Sequence, residues 1–484
     1  MRRSERSITE TVADTNAQAS LPILEDATYE HRGVVRLVVR WLVRLYYPRI
    51  EIEGATQVNR TGPVLLCANH ANSLLDPVLI GIAVGRPVRF MAKAPLFDHP
   101  VLGPPMNALG MIPAFRASDD KKQVKRNLES LGVGANVLKN GHAMGIFPEG
   151  VSTDQSHLEV IKSGAARMAI QAAEEGARDV QVVPLALIYQ RKDRFRSSVW
   201  IRIAEPIEVD ELLKEYDNNV RKARRSLTNE LQVRLQEVVV HLDEPKWENW
   251  LGDLEILLPP NNPSRKPSVY LSHRDRIANA MNHFLKTDEP RAEAIAKEID
   301  EYRLNVESAG LRIDSLVLRS TALRVLGVLV RDVVLLVALL LPAICGTLYH
   351  IIPFLLVRFI AGRMDQPGRQ TVSTNRMLVG APIYFLWYVA VVVGLLYLRM
   401  SWAAGGLLVL APFFGVVSMF YWRQARSTVS LIQHQFLALI KKDRLNDLKA
   451  QLSRLTTVLA EVSTDYGAAL SKTETDQSHS SSEG

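Results

Sequence analysis

Three uncharged, strongly apolar stretches in the last third of this chain limit its possible folds more than any other feature. They cover residues 333–357, 377–398 and 400–422. Each is long enough for the roughly 20 residues that a helix needs to cross a bilayer. Inside a bilayer, backbone N–H and C=O groups must be paired within the protein, which predicts helices. The chain is therefore predicted to be an integral membrane protein, with membrane-embedded segments over residues 324–425.

Arginine clusters border these stretches and indicate how the chain meets the membrane. They contain Arg319, Arg324, Arg331, Arg358, Arg363, Arg369, Arg376, Arg423 and Arg426. Positive residues favour the cytosolic side, yet three single crossings would place neighbouring clusters on opposite sides. We therefore predict that the first stretch is broken near Pro342 and Gly346 into a re-entrant segment or tight hairpin. The last two stretches are predicted to form a hairpin.

The N-terminal part of the chain adds a second predicted membrane contact. Arginines recur four residues apart over residues 31–48, and apolar residues fill most positions between them. This pattern predicts an amphipathic helix in the bilayer interface, with Trp41, Tyr46 and Tyr47 at headgroup depth. The alternative is a helix packed on the protein with a solvated arginine edge. Residues 1–30 form a polar tail without the apolar core of a secretory signal, so we expect the catalytic domain on the cytosolic face.

Residues 49–210 show the alternating pattern of an α/β domain, with the length that is usual for a catalytic domain. Short apolar runs predict strands, and amphipathic stretches between them predict helices. The predicted strands cover residues 50–53, 64–68, 88–91, 143–147, 180–188 and 199–203, and the predicted helices cover 77–84, 120–139 and 162–175. The expected fold is an α/β domain in which helices cover a mixed sheet, followed by a helical region and C-terminal membrane-embedded helices.

The other segments are predicted to be helical or polar. Residues 211–323 lose the strand pattern and predict a helical accessory region, and residues 426–470 predict a cytosolic helix. The Ser-rich residues 471–484 predict a disordered tail. The formal net charge of +7 favours an anionic partner, and the position of the arginines beside apolar segments favours a membrane over nucleic acid. Two cysteines, Cys67 and Cys345, do not indicate a disulfide framework.

A histidine and a carboxylate follow the buried strand predicted at residues 64–68. His70 and Asp76 stand just beyond the carboxyl end of that strand, where α/β folds place their active sites. A neutral imidazole can accept the proton of an attacking hydroxyl, while a carboxylate on its other nitrogen fixes the tautomer. A lone histidine is more often structural, but the neighbouring motifs favour His70 as a general base.

Three further blocks end predicted strands with residues suited to binding. The run Gly-Met-Ile-Pro-Ala-Phe leads to Arg116, whose planar guanidinium suits a phosphate. The run Gly-Ile-Phe-Pro leads to a turn with Glu149 and Gly150. The run Val-Val-Pro-Leu places Pro184 in a strand, which predicts an edge strand or the start of a strand. Each block alone could be an ordinary turn.

In this order the four blocks resemble those of the PlsC-like glycerolipid acyltransferases. The resemblance implies that His70 is the base and that Asp76 orients it. The residues implied to bind the acceptor are Arg116, Glu149, Gly150 and the basic Lys93, and Pro184 ends the site. The resemblance also implies an acyl-coenzyme A or acyl carrier protein thioester as co-substrate, with no cofactor and no metal. The expected partners are the lipid bilayer, this donor and a phosphorylated glycerol acceptor.

One departure from the family pattern affects the choice of acceptor. Five residues lie between His70 and Asp76, whereas most of the family has four. The longer form is typical of the membrane-bound branch that acylates glycerol 3-phosphate or dihydroxyacetone phosphate, so the resemblance implies one of these acceptors. A lysophosphatidate acceptor and a catalytically silent membrane lipid-binding scaffold remain as alternatives.

Overall fold

The computed structural model describes residues 33–100, 102–115, 123–260, 266–364 and 368–480. Over these residues an N-terminal α/β domain is followed by a helical region and three long apolar helices. The strands are β1 (Arg49–Glu53), β2 (Val64–Ala68), β3 (Val88–Lys93), β4 (Ile112–Ala114), β5 (Ala143–Ile146), β6 (Gln181–Tyr189), β7 (Ser198–Ile203) and β8 (Ile207–Glu208). The helices are α1 (Gly33–Tyr46), α2 (Leu75–Ala83), α3 (Gly103–Ala108), α4 (Gln123–Lys139), α5 (Gly164–Glu174), α6 (Val209–Glu215), α7 (Val220–Val238), α8 (Glu248–Leu257), α9 (Pro267–Thr287), α10 (Glu289–Ser308), α11 (Leu316–Arg319), α12 (Ala322–Ala361), α13 (Arg369–Tyr397), α14 (Ser401–Ile440) and α15 (Lys442–Ser480).

The α/β domain is built on one sheet in the order β1-β7-β6-β2-β5-β3-β4, with β8 paired to β6. The strands pair in parallel, except that β7 and β8 run antiparallel to β6. Since side chains along a strand alternate between faces, Leu65 and Cys67 of the central β2 pack with helices α4, α5 and α7. Val64 and Leu66 pack with α1 and α2 on the other face. The predicted mixed sheet covered by helices is confirmed.

The periodic pattern located the six longer strands but not β4 and β8, and only the block that leads to Arg116 indicated a strand end at β4. These strands have three and two residues, too few for a period in hydrophobicity to be visible. The three predicted helices correspond to α2, α4 and α5 with small shifts at their ends. Secondary structure was therefore predicted correctly for strands and helices that are long enough to repeat their hydrophobic pattern several times.

Pro184 corrects one expectation, because its strand β6 lies inside the sheet and not at an edge. β6 pairs with β2 on one side, and with β7 and β8 on the other. The carbonyl oxygen of Pro184 accepts from Ala204 N at 2.9 Å, so its backbone faces the connection between β7 and β8. Neither antiparallel ladder includes Pro184, and the missing N–H therefore breaks no ladder bond on that side.

The helical region and the final helix share a hydrophobic core. Helices α8, α9 and α10 contribute buried side chains, and α15 adds Leu448, Leu452, Leu455 and Leu459 to the same cluster. A helical accessory region after residue 211 agrees with the prediction. Helix α15 continues to Ser480, whereas a disordered tail was predicted from residue 471; residues 481–484 lie outside the described residues. The segment 471–480 contains neither proline nor glycine, so nothing in it interrupts the helix.

Three helices, α12, α13 and α14, are long and apolar enough to cross a membrane. The predicted break in the first stretch is wrong, because α12 is one continuous helix of 40 residues with Pro342 and Pro353 inside it. Membrane helices tolerate proline when neighbouring helices and side chains pair the freed backbone groups. Gly346 is also not a turn, since it packs directly against the backbone of Phe414 in α14. The absence of a side chain there permits a close approach of two helices.

Helix α1 covers the α/β domain and exposes an apolar face. Tyr46 and Tyr47 are 5 % and 0 % exposed, so they lie in the protein core and not at headgroup depth as predicted. The tyrosines are buried because the last turn of α1 packs on the sheet with α2. The exposed apolar residues of this helix are Leu37, Val38, Trp41 and Leu45. Of the three aromatic residues assigned to the interface, only Trp41 is on the exposed face.

Gly145 of β5 provides a test of core packing. A Cβ atom at this position would lie 2.6 Å from Phe90 Cδ1, far inside contact distance. Gly145→Ala is therefore expected to destabilise the fold by about 1–3 kcal/mol, because a full core must shift to admit a methyl group. The measurement is denaturant unfolding of the detergent-purified protein. Gly132→Ala in α4 is the control, since its Cβ would make only an ordinary contact at 3.6 Å, and equal unfolding midpoints for the two variants would contradict the packing argument.

Candidate active site

Four parallel strands bring their carboxyl ends to one edge of the sheet. β2 ends before His70, and its neighbour β5 ends before Glu149. β3 ends at Lys93, and β4 ends at Ala114. This edge is where open α/β sheets bind ligands. Arg116 lies outside the described residues, so its predicted role in acceptor binding stays a prediction.

His70 and Asp76 form a hydrogen-bonded pair. Nδ1 of His70 lies 2.9 Å from Oδ2 of Asp76. The five residues between them fold into a turn in which Ser73 has φ of 46° and Leu75 N donates to Asn72 O at 3.1 Å. The left-handed residue reverses the chain, so that Asp76 in the first turn of α2 faces back toward His70. The longer spacing is therefore compatible with a closed pair.

Asp76 is fully buried and accepts hydrogen bonds on both carboxylate oxygens. Oδ2 accepts from the backbone N of Asn72 at 2.7 Å as well as facing His70 Nδ1. Oδ1 accepts from the hydroxyl of Tyr189 at 2.5 Å. Such a set of donors fixes the orientation of the carboxylate. With Nδ1 of His70 facing this carboxylate, Nε2 has no hydrogen-bond partner within the described part of the chain.

Tyr189 is a site residue that the sequence analysis missed. It is the last residue of β6, which pairs in parallel with β2, so both strands end beside the His–Asp pair. Burial and the nearby Asp76 charge raise the pKa of Tyr189 well above its ordinary value, which keeps its hydroxyl protonated as a donor. Its signal in the sequence was its position directly after the predicted strand 180–188. Parallel pairing with β2 was needed to interpret that signal.

A stack of aromatic rings supports His70 on one face. The His70 imidazole lies parallel to the ring of Phe147, with centroids 4.0 Å apart and an interplanar angle of 12°. Phe147 in turn stacks with Phe90 at 5.9 Å. The His70 side chain is 20 % exposed, so one edge of the imidazole is open to a ligand. The ring is therefore held in orientation while remaining accessible.

Glu149 supports the backbone around His70. Its carboxylate accepts from His70 N at 3.0 Å and from Glu159 N at 3.1 Å, and the residue is only 3 % exposed. Burial raises the pKa of Glu149, against the opposing effect of these two backbone bonds. The Glu149 carboxylate is thus bonded to two backbone groups, and its predicted role in acceptor binding stays a prediction. The fixed loop is what positions the imidazole.

Two cationic side chains lie at this edge of the sheet. Lys93 is exposed at the end of β3. Lys162 Nζ lies over the turn at Gly150, where a Cβ atom would approach it to 2.7 Å. Gly150 also has φ of 72°, a backbone conformation that favours glycine, and its predicted contact with the acceptor stays a prediction. Among the described residues, no group of three or more His, Cys, Asp or Glu side chains could hold a metal ion.

Tyr189→Phe tests the support of Asp76 without changing the size of the ring. The variant removes one donor to the carboxylate, which is expected to lower kcat by about 10- to 100-fold because a hydrogen bond to a charged group contributes about 1.5–3 kcal/mol. The KM of either substrate should be unchanged, since Tyr189 is buried under the pair. Steady-state kinetics on membranes measure this split. A rise in KM at constant kcat would instead place Tyr189 in substrate binding.

A mixed sheet with a hydrogen-bonded His–carboxylate pair at its carboxyl edge has the geometry to take a proton from a hydroxyl or a similar group. Residues 49–188 match the family model described as Acyltransferase. Over these residues the α/β domain is similar to the acyltransferase family, in agreement with the resemblance of the four motif blocks. The matched segment ends before β7, so the helical region and the apolar helices lie outside it.

Curated relatives include two kinds of glycerolipid acyltransferase. Glycerol-3-phosphate O-acyltransferase 1 of Saccharomyces cerevisiae is 34% identical over 107 residues, which cover 21% of this chain and 14% of the relative. A chloroplastic 1-acyl-sn-glycerol-3-phosphate acyltransferase of Arabidopsis thaliana is 31% identical over 164 residues, covering 33% of this chain and 41% of the relative. Glycerol-3-phosphate O-acyltransferase 2 of the same yeast is 25% identical over 343 residues, covering 45% of this chain and 46% of the relative. The chain thus spans less than half the length of these relatives.

Proposed function

We propose that this chain is a membrane enzyme that transfers a fatty acyl group from a thioester to a hydroxyl of glycerol 3-phosphate or dihydroxyacetone phosphate. The observation that supports this most is the His70–Asp76 pair at 2.9 Å, with Asp76 buried and His70 partly open. The pair lies within the segment that matches the acyltransferase family. The spacing of five residues between the two side chains supports the glycerol 3-phosphate or dihydroxyacetone phosphate acceptor.

In the proposed reaction, Nε2 of His70 removes the proton from the acceptor hydroxyl while Asp76 stabilises the imidazolium on the Nδ1 side. The hydroxyl oxygen attacks the thioester carbonyl carbon and forms a tetrahedral oxyanion, which backbone N–H groups near the strand ends would stabilise. The carbon–sulfur bond then breaks. The thiolate of coenzyme A or acyl carrier protein leaves and takes up the proton from His70, which regenerates the neutral base.

The phosphate of the acceptor would bind at the cationic side of the same sheet edge. Lys93 ends β3, and Arg116 is close in sequence to the end of β4. Lys162 over the Gly150 turn is a second described cation on this edge. A phosphate held by these residues would keep the acceptor hydroxyl at a fixed distance from His70. The binding energy of the phosphate would then orient the hydroxyl for reaction.

Lysophosphatidate is the second candidate acceptor. The Arabidopsis relative, whose name states 1-acyl-sn-glycerol-3-phosphate as its acceptor, matches at an identity similar to that of the yeast proteins. This acceptor already lies in the bilayer, and the exposed apolar face of α1 with Leu37 and Trp41 would keep the α/β domain at the membrane surface. We propose that this surface is cytosolic.

Acyl transfer from labelled acyl-coenzyme A by membranes that contain the chain tests the proposal. Glycerol 3-phosphate, dihydroxyacetone phosphate and lysophosphatidate are offered separately, and acyl carrier protein is tried as an alternative donor. Label in the product of one of the first two acceptors supports the proposed function, whereas label only with lysophosphatidate supports the second candidate. No transfer with any combination would favour a lipid-binding scaffold.

A further inference from the structure

We propose that the first turns of helix α13 are part of the catalytic unit, with Ser373 as a positioning residue that acts on Asp76 through Tyr47 and Asn72. This inference rests on the proposed acyltransferase function. Ser373 and Tyr47 both lie outside the segment 49–188 that matches the family. The apolar helices would therefore do more than anchor the domain in the membrane.

Helix α13 is bonded to the α/β domain at three places along its first turns. Nε of Arg369 lies 2.8 Å from Oδ2 of Asp154. The hydroxyl of Ser373 donates to the carbonyl oxygen of Lys192. One guanidinium nitrogen of Arg376 donates to the carbonyl oxygen of Asp193 at 2.9 Å. Ser373 is 0 % exposed, so its hydroxyl cannot replace this partner with water.

Tyr47 connects this junction to the turn beside the catalytic pair. Its hydroxyl donates to the same carbonyl of Lys192 at 2.5 Å and lies 3.3 Å from Oγ of Ser373. The Tyr47 hydroxyl oxygen accepts from Nδ2 of Asn72 at 2.7 Å. Tyr47 and Asn72 are both 0 % exposed. Three hydrogen-bonding groups therefore converge on one buried hydroxyl, and moving α13 would move them together.

Asn72 connects the Tyr47 hydroxyl to the carboxylate of Asp76. Its backbone N donates to Oδ2 of Asp76 at 2.7 Å, and this is the oxygen that faces His70 Nδ1. The side chain of Asn72 is held by Tyr47, so its backbone N is held as well. A loss of the Tyr47 contact should therefore change the angle at which Asp76 meets the imidazole.

A second line of contacts leads from α13 to the backbone of His70. Asp154, which pairs with α13, also pairs with Lys192 Nζ at 2.7 Å. Lys192 Nζ donates to the carbonyl of Thr153 at 3.2 Å, and Thr153 N donates to the carbonyl of His70 at 3.1 Å. Both members of the catalytic pair thus have a bonded route to α13. A change in the position of α13 on the α/β domain should therefore change the geometry of the His70–Asp76 pair.

Ser373→Ala and Tyr47→Phe in the full chain test this inference. Each removes one hydroxyl, and each is expected to lower kcat about five- to tenfold with KM unchanged, as the loss of a neutral buried hydrogen bond predicts. Ser418→Ala in α14 is the matched control, because Ser418 is also buried and bonds only its own helix through Gly415 O. Each of the three substitutions is then combined with Asp76→Asn, and the kinetics of the double variants are compared with those of Asp76→Asn alone. A positioning effect should vanish in that background, whereas a purely structural loss would persist, and a persistent loss or an unchanged kcat overturns the proposal.

A second measurement does not depend on the acceptor. Modification of His70 by diethyl pyrocarbonate, followed by mass spectrometry of peptides, reports the environment of the imidazole. The rate at His70 should change by more than about twofold in Ser373→Ala and Tyr47→Phe but not in Ser418→Ala. If wild type transfers no acyl group, the proposed function fails, and this rate still decides whether α13 controls His70. Unchanged rates in both variants would overturn the inference.

Discussion

His70→Ala is expected to lower kcat for acyl transfer by about 10²–10⁴-fold, the range that a positioned general base contributes. The variant removes the one group at the sheet edge whose Nε2 is open while its Nδ1 is paired with a buried carboxylate. The acceptor hydroxyl would have to lose its proton to water as it attacks. KM for the phosphorylated acceptor should change little, since the cations that would bind it are untouched.

The control for this variant is His142→Ala. His142 directly precedes β5 and so lies at the opposite, amino-terminal edge of the same sheet. Its loss should leave acyl transfer near the wild-type rate. Both variants are measured as initial rates per amount of membrane protein, with the labelled lipid product separated from the donor. A His70→Ala enzyme that kept more than about a tenth of wild-type kcat would exclude His70 as the base.

Asp76→Asn is the second substitution with a large expected effect, on the order of 10²–10⁴-fold in kcat. Asp76 accepts from three donors on its two oxygens, namely His70 Nδ1, Asn72 N and the Tyr189 hydroxyl. An asparagine carries no negative charge to stabilise the imidazolium, and if its amide NH₂ took the position of Oδ2, this donor would face Nδ1 of His70. The imidazole would turn or adopt the other tautomer, in which Nε2 carries the proton and cannot act as a base.

The matched control is Asp210→Asn. Asp210 is also an aspartate in the first turn of a helix, α6, and it accepts the backbone N of Asp179 at 2.8 Å far from the site. Denaturant unfolding of both variants separates folding from catalysis. A catalytic role predicts a large loss of kcat in Asp76→Asn with a folded protein, and near-normal kcat in Asp210→Asn. If both variants lost activity in proportion to stability, Asp76 would be structural.

The motifs predicted that His70 and Asp76 form a pair, and the structure shows them hydrogen-bonded, while their catalytic role stays a prediction. The pair could be predicted because the chemistry of a base and its orienting carboxylate follows from residue type and from a strand end nearby. Glu149 was harder, since a carboxylate in a turn can bind a ligand or a backbone, and only its 3 % exposure separates the two. Sequence does not encode burial residue by residue, because burial depends on what packs over a turn.

The sequence by itself determined the elements with a repeated pattern: the buried strands of the α/β domain, the helical region and three stretches long enough to span a membrane. Each results from local periodicity, which neighbouring residues fully specify. That periodicity could not pair Tyr189 with Asp76 or Ser373 with Tyr47, because these partners are 113 and 326 residues apart in the chain. Only the tertiary structure shows these contacts. Parallel pairing of β6 with β2 brings the Tyr189 hydroxyl to Asp76, and the docking of α13 brings the Ser373 hydroxyl to Tyr47, since the free energy of such contacts depends on distance in space.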